Sequence, residues 1–337
     1  MAAGFTKACS MGPVADAVTR AGGSLARIFR MADLPLRLIE APEQIILLKD
    51  QLAVVEYAAR ELDDETLPLA LSMQGGISGL GPFGQRVRAA PTLRDAINRC
   101  NAGICAMLQS ATHMRLAEAG DAASWSYAIL DDAPVGRQKN ELLAFGYMVE
   151  TLRNFGAPAP LRAELPARPA ARSRLESMLG CEIALGSGAR LVFAREHLDR
   201  LNPACAPQDP GLAMDLPELA DFIAGVEHLI GLGFLAGRPG VADVSARLSL
   251  TPRTLQRRLA EAGTCFEAIR SRVFVARAQA LLAQPTRSVT EVALELGYGD
   301  PAHFSRAFMA VAGTSPRAWR KARLAQAPAL ATPAAKP

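Results

Sequence analysis

Arg253, Gln256 and Arg257 recur at helical spacing within one short stretch of the chain. Their side chains can make bidentate hydrogen bonds to base edges, the guanidinium to guanine and the carboxamide to adenine. Ala302, His303, Ser305 and Arg306 occupy the corresponding places of a second stretch built on the same plan. The elements that must carry them read as two helix-turn-helix units in tandem. The first runs Val241–Leu248, then Ser249-Leu250-Thr251, then Pro252–Leu259. The second runs Val289–Leu296, then Gly297-Tyr298-Gly299-Asp300, then Pro301–Phe308. Small residues at 245 and 293 allow two helices to approach closely. Gly297 suits a left-handed turn, which Ser249 tolerates less comfortably. Thr251 before Pro252, and Asp300 before Pro301, are N-cap and first-turn signals. Leu255 with Leu259, and Phe304 with Phe308, form the inward seam, which leaves the base-edge side chains on the opposite face.

Between the two units, Phe266–Leu282 reads as one long helix with Phe266, Ile269, Val273, Ala276 and Ala280 facing inward. Such a spacer would hold the second helices of the two units at successive major grooves, about 34 Å apart. Ordinary amphipathic helices of an all-α core are the competing reading, and charge argues against it. Residues 239–327 hold 13 Lys and Arg against 6 Asp and Glu, while the remainder holds 24 against 27. The basic excess is confined to the segment with the repeated pattern, as phosphate binding requires.

A length of 337 residues suggests two domains. Half of the residues are hydrophobic and 21% are charged, an ordinary globular composition. No apolar stretch approaches the roughly 18 residues of a membrane span, and Met1–Lys7 lacks an export-signal layout, so a cytoplasmic location is expected. The cysteines at 9, 100, 105, 181, 205 and 265 form no CxxC pair. They indicate neither a zinc site nor a redox couple, and no metal or cofactor is expected.

The first two-thirds reads as mixed α and β. Helices are expected over Gln44–Leu62, Thr92–Leu108, Arg137–Phe155 and Arg172–Leu179. A hairpin joins Met114–Ala119 to Ala123–Leu130, and Leu161–Leu165 and Leu191–Ala194 are further strands. Trp125 and Tyr127 alternate onto one strand face. With Phe83, Phe145 and Tyr147 they are candidates to line an effector pocket, against the alternative of plain core packing. Gly79-Leu-Gly81-Pro-Phe-Gly84 satisfies the dinucleotide pattern GxGxxG but lacks an acidic residue about 20 positions on. It is expected to be a glycine-rich loop. The histidines at 113, 197, 228 and 303 are dispersed, and neither HExxH nor GxSxG occurs. A Pro-Cys-His setting, as a DNA-repair methyltransferase would need, is also absent, and no enzyme is expected.

The carboxy-terminal stretch resembles the DNA-binding domain of AraC/XylS-type transcriptional regulators. The resemblance rests on Arg253-Thr-Leu-Gln-Arg-Arg-Leu259, Phe266, Ala278-Gln-Ala-Leu-Leu282, Val292-Ala-Leu-Glu-Leu-Gly-Tyr298, Asp300–Phe308 and Gly313-Thr-Ser-Pro-Arg-Ala-Trp-Arg320. Phe274, Ser249 and Trp319 depart from it, standing where that family usually has Arg, Gly and Tyr. Leu67–Met73, Gly79–Gly81, Pro91–Ala96 and Ala189–Phe193 resemble the effector-binding domain of one branch of the same family.

The resemblance implies an α+β sensor and dimerisation domain over 1–205, a linker and connecting helix over 206–238, and an all-α double helix-turn-helix domain over 239–324. A disordered tail would occupy 325–337. It also implies base contacts by Arg253, Gln256, Arg257, Ala302, His303, Ser305 and Arg306. The implied partners are double-stranded promoter DNA, RNA polymerase, a small-molecule effector and a second copy of the chain. The expected function is a transcriptional regulator, an activator, answering a small molecule. The alternatives are a DNA binder whose first domain only dimerises, and an enzyme carrying a regulatory domain.

Overall fold

The structure is a computed structural model describing residues 3–131, 135–204, 216, 221–237 and 239–326. It divides into two units, Met1–Gly225 and Val226–Pro337. In the first unit, Phe5–Lys7 (β1) pairs antiparallel with Ile45–Leu47 (β2), and all six residues are buried. Helices Val14–Arg20 (α1) and Leu25–Met31 (α2) lie between them in sequence. Leu48–Glu61 (α3) follows β2 directly. The helix expected from Gln44 therefore begins four residues later. Two successive isoleucines favour an extended chain, and the antiparallel partner satisfies its backbone groups. Leu67–Gly75 (α4), Gly81–Arg88 (α5) and Leu93–Met107 (α6) come next. Thr92 caps α6 by accepting the Asp95 amide at 3.1 Å.

Thr112–Ala119 (β3) and Ala122–Ile129 (β4) form the expected hairpin, followed by Arg137–Asn154 (α7). Arg162–Leu165 (β5), Arg172–Leu179 (α8), Glu182–Leu185 (β6) and Ala189–Ala194 (β7) complete the sheet, in the order β3-β4-β7-β5-β6. Only β5 and β6 run parallel, and α8 is the crossover that a parallel pair needs. Strand β6 carries little signal in the sequence because it is a short edge strand with Ile183 as its one buried residue.

Along β4 the residues Ala123, Trp125, Tyr127 and Ile129 are buried, and along β7 Ala189, Leu191 and Phe193 are buried. This is the period-two pattern of a sheet with one face on the core. Helices α6 and α7 pack on that face. Helix α7 comes close to α4 at Gly146, where an added Cβ would lie 1.9 Å from the Ser72 hydroxyl. The GxGxxG segment is a helix start, not a loop. Residues 77–80 form a 3₁₀ turn that leads into α5, so no strand precedes the glycines and the dinucleotide arrangement does not arise.

Phe222–Ala236 (α9) contains the boundary between the units. It is the connecting helix expected within 206–238; of that expected span, 206–215, 217–220 and 238 lie outside the described residues. The second unit continues with Val241–Arg247 (α10), Pro252–Glu261 (α11), Phe266–Leu282 (α12), Val289–Glu295 (α13), Pro301–Ala312 (α14) and Pro316–Gln326 (α15). Helix α15 carries the chain past 325, and the rest of the expected tail, 327–337, is outside the described residues. Among the described residues no helix is long and apolar enough to cross a membrane.

Candidate nucleic-acid interface and internal cavity

The two helix-turn-helix units close their turns with the same backbone bonds. In the first, the Leu250 amide donates to the Ser245 carbonyl at 2.9 Å. In the second, the Tyr298 amide donates to the Ala293 carbonyl, also at 2.9 Å. Each bond spans a residue in the left-handed region, Ser249 at φ 56° and Gly297 at φ 79°, and together they form the Schellman ending of a helix. The second turn is one residue longer and absorbs Gly299. Both following helices are capped by side chains. Thr251 accepts the Thr254 amide at 3.1 Å, and Asp300 accepts the Ala302 amide at 2.8 Å. Ser288 and Glu291 form a reciprocal capping box at the start of α13.

On α11 the seam residues Leu255 and Leu259 are fully buried, while Arg253, Gln256 and Arg257 are exposed. At about 100° per residue these three side chains share an arc directed away from the seam. The same arithmetic holds on α14. Phe304 and Phe308 are buried, and Ala302, His303 and Arg306 are exposed. Ser305 is half-buried, and its hydroxyl donates to the Pro301 carbonyl at 2.9 Å. Arg257 forms an ion pair with Glu261 at 2.7 Å with both side chains in solvent. Such a pair is weak and leaves the guanidinium available to a stronger acceptor.

The helices are held by an aromatic cluster that the sequence reading did not anticipate. Phe274 on α12 lies 6.2 Å from Phe234, 5.6 Å from Tyr298 and 6.0 Å from Phe304, centroid to centroid. This is the position where the resembled family usually has Arg, and burial explains the phenylalanine. The inward face of α12 is Phe266, Ile269, Phe274, Ala278, Leu281 and Leu282. Of the residues expected there, Val273 is half-buried, and Ala276 and Ala280 are exposed. The larger side chains at 274, 281 and 282 bury more area per turn than alanine methyl groups and set the rotation of the helix. At its C-terminal end Arg320 of α15 donates to the Leu282 carbonyl at 2.9 Å.

In the first unit, a partly open cavity lies among the sheet face and helices α5, α6 and α7. Phe83, Trp125, Tyr127 and Tyr147, four of the five expected aromatic residues, line it. Phe145 does not. The α7 lining is Asn140, Leu143, Ala144, Tyr147 and Met148, a single stripe at three- and four-residue spacing. Phe145 falls about 200° from Tyr147 and is buried against other neighbours. The β4 pair is held by polar contacts. The Trp125 indole donates to Asn101 Oδ1 at 2.9 Å. The Tyr127 hydroxyl receives Gln109 Nε2 and Asn140 Nδ2, each at 2.6 Å. Burial pushes the Tyr127 phenol and the Cys100 thiol each up to about 12, so both are neutral. Gln109 and Asn140 were missed in the sequence because isolated amides on helix-like stretches carry no periodic signal.

An α+β unit with a cavity, joined in sequence to a helical unit that is rich in Lys and Arg and presents two helix-turn-helix faces, defines a DNA-binding transcription regulator and not an enzyme. The family description "arabinose-binding domain of AraC transcription regulator" matches residues 22–202, and a helix-turn-helix domain matches residues 244–322. The chain belongs to the AraC family of transcription regulators. It is 24% identical over 323 residues to the regulator VirS of Mycobacterium tuberculosis, covering 90% of this chain and 93% of that one. An uncharacterized helix-turn-helix-type regulator of the same organism is 40% identical over 78 residues, and that match spans only 23% of either chain. The transcriptional activator RhaS of Klebsiella pneumoniae is 38% identical over 82 residues, 24% of this chain and 30% of that one. Among solved structures, the regulator CdpR from Pseudomonas aeruginosa aligns over 80% of this chain and 90% of its own, with a TM-score of 0.40 and 22% identity.

Proposed function

We infer that this chain activates transcription in response to a small molecule. In this reading α11 and α14 enter successive major grooves of promoter DNA. Arg253, Gln256 and Arg257 read bases in one groove, and Ala302, His303, Ser305 and Arg306 read the other. Ala302 offers only a methyl group, suited to a thymine methyl. The observation that carries the reading is the repetition itself: two units with the same turn bonds, caps and seams each turn the equivalent arc of a helix to solvent.

The cavity in the first unit is the sensor. Its ligand acts only through different affinities for the DNA-competent and DNA-incompetent states of the protein. The activator role is supported by the likeness to RhaS, a transcriptional activator, and recruitment of RNA polymerase is the route by which it would act. Family membership favours a homodimer on paired half-sites.

Footprinting of the full chain on its operator is the test. Protection of two adjacent major grooves on one side of the duplex is expected. Alanine at 256, 257 and 306 together is expected to abolish it while leaving the thermal melt unchanged. Unaltered protection by that triple variant would remove α11 and α14 from the reading role. Operator affinity that no small molecule changes would reduce the first unit to a dimerisation module.

A further inference from the structure

The cavity is lined by side chains of an unexpected balance for a domain matched to an arabinose-binding description. Among the described residues its lining contains no Lys, Arg, His, Asp or Glu. Besides the Trp125 indole, which is bonded to Asn101, and the Cys100 thiol, which faces Met114 Sδ, five lining residues carry polar side chains: Ser10, Gln109, Tyr127, Asn140 and Tyr147. The first four are engaged within the protein. Ser10 Oγ receives the Thr6 hydroxyl at 2.9 Å. Gln109 Nε2 donates to Thr112 Oγ1 at 2.7 Å and to the Tyr127 hydroxyl. Asn140 Nδ2 also donates to Tyr127, while its Oδ1 accepts Gln51 Nε2 at 3.1 Å.

The Tyr147 hydroxyl is buried with no hydrogen-bond partner. It lies beside the segment that contributes Ser10, since a Cβ at Gly12 would sit 3.1 Å from it. Burial raises the Tyr147 phenol, and burial likewise holds the neighbouring Cys9 thiol up at about 12. The phenol therefore keeps its proton and stands as a donor that the protein does not use.

We propose that this cavity takes an uncharged, largely apolar molecule with one hydrogen-bond acceptor, a ketone or ester, whose oxygen receives the Tyr147 hydroxyl. The proposal rests on the sensing role and names the ligand class for it. A pentose is excluded because its several hydroxyls would meet apolar walls and amides already paired, and each unmatched polar group is penalised on burial. A carboxylate is excluded because no cation lines the site to replace its lost hydration.

Four probes of graded chemistry test the assignment on the full-length chain by thermal shift and calorimetry: acetophenone, its hydrocarbon isostere isopropylbenzene, benzoate and L-arabinose. Acetophenone is expected to bind and to raise the melting temperature, with isopropylbenzene about tenfold weaker. Benzoate and arabinose are expected to do neither. Tyr147→Phe removes an unpartnered hydroxyl, so the unliganded melt stays level or rises. In that variant the preference for acetophenone over isopropylbenzene should be lost or reversed, since the carbonyl is then buried unmatched.

Binding of arabinose or benzoate in preference to acetophenone overturns the ligand class. So does equal affinity of acetophenone and isopropylbenzene in the native chain, or a failure of all four to bind. If Tyr147→Phe fails to fold, the graded series on the native chain still decides. Operator affinity measured with each bound probe separates the two levels: a probe that binds in the cavity without changing DNA affinity defeats the sensing role, whatever its class.

Discussion

Ser249 holds a backbone conformation that glycine adopts more readily. Its φ of 56° places Cβ close to a carbonyl oxygen, whereas its counterpart Gly297 has no such conflict. Ser249→Gly should therefore stabilise the second unit by about 0.5–1 kcal/mol, the left-handed strain less the extra entropy of a glycine. Chemical denaturation checks this, and a destabilised variant would mean that the serine hydroxyl supports the turn more than its backbone strains it. Single residues also decide what reads DNA. Arg257→Ala or Gln256→Ala should weaken the specific complex by about 1–3 kcal/mol and relax preference at one or two base pairs. Binding to random sequence should change far less. A uniform loss across all sequences would place these side chains on phosphates.

At the scale of elements, the sheet depends on a charge cluster between β5 and β7. Glu164 is buried and lies directly opposite Arg190 in the register, and Arg162 stands two residues away on the same strand. Burial alone would raise the Glu164 carboxyl, but hydrogen bonds and charge from Arg190 and Arg162 outweigh it and leave it lowered. A depressed folded-state value contributes stability above the ordinary carboxylate range of about 4.3. That contribution disappears as pH falls through the folded value. Glu164→Gln should therefore melt below the native chain at neutral pH and converge with it in acid. Parallel melting curves at all pH values would show that the cluster contributes nothing.

These elements also show why some were legible and others were not. The β3–β4 hairpin, α6, α7 and the five helices α10 to α14 announce themselves through period and caps, whereas α15 is not among the helices expected from the sequence. The strand Ile45–Leu47 hides inside a helical pattern because its partner, Phe5–Lys7, lies some 40 residues away in sequence.

At the scale of the whole molecule, charge is unevenly allotted. The second unit's excess of Lys and Arg over a slightly acidic remainder makes DNA affinity of the full chain an electrostatic matter. Log affinity is expected to fall linearly with log salt, with a slope of roughly −0.9 per phosphate neutralised. Filter binding across a salt series reads it directly, and a flat line would argue against phosphate binding by the basic faces. A ligand of the cavity adds a second, salt-independent term. At about one hundred times its dissociation constant it should stabilise the chain by about 2.7 kcal/mol.

Local pattern was enough to identify two helix-turn-helix units, their exposed arcs and the class of regulator. Capping, turn geometry and the spacing of seam residues are short-range properties, fixed within a few residues of where they are written. The cavity was different. That Trp125, Tyr127, Phe83 and Tyr147 converge while Phe145 turns away, and that one phenol is left without a partner, depends on three helices meeting one sheet face. So does the exchange of an expected arginine for Phe274, which is meaningful only beside Phe234, Tyr298 and Phe304. Contacts between distant segments carry no signature in either segment alone, and only the packed chain reveals them.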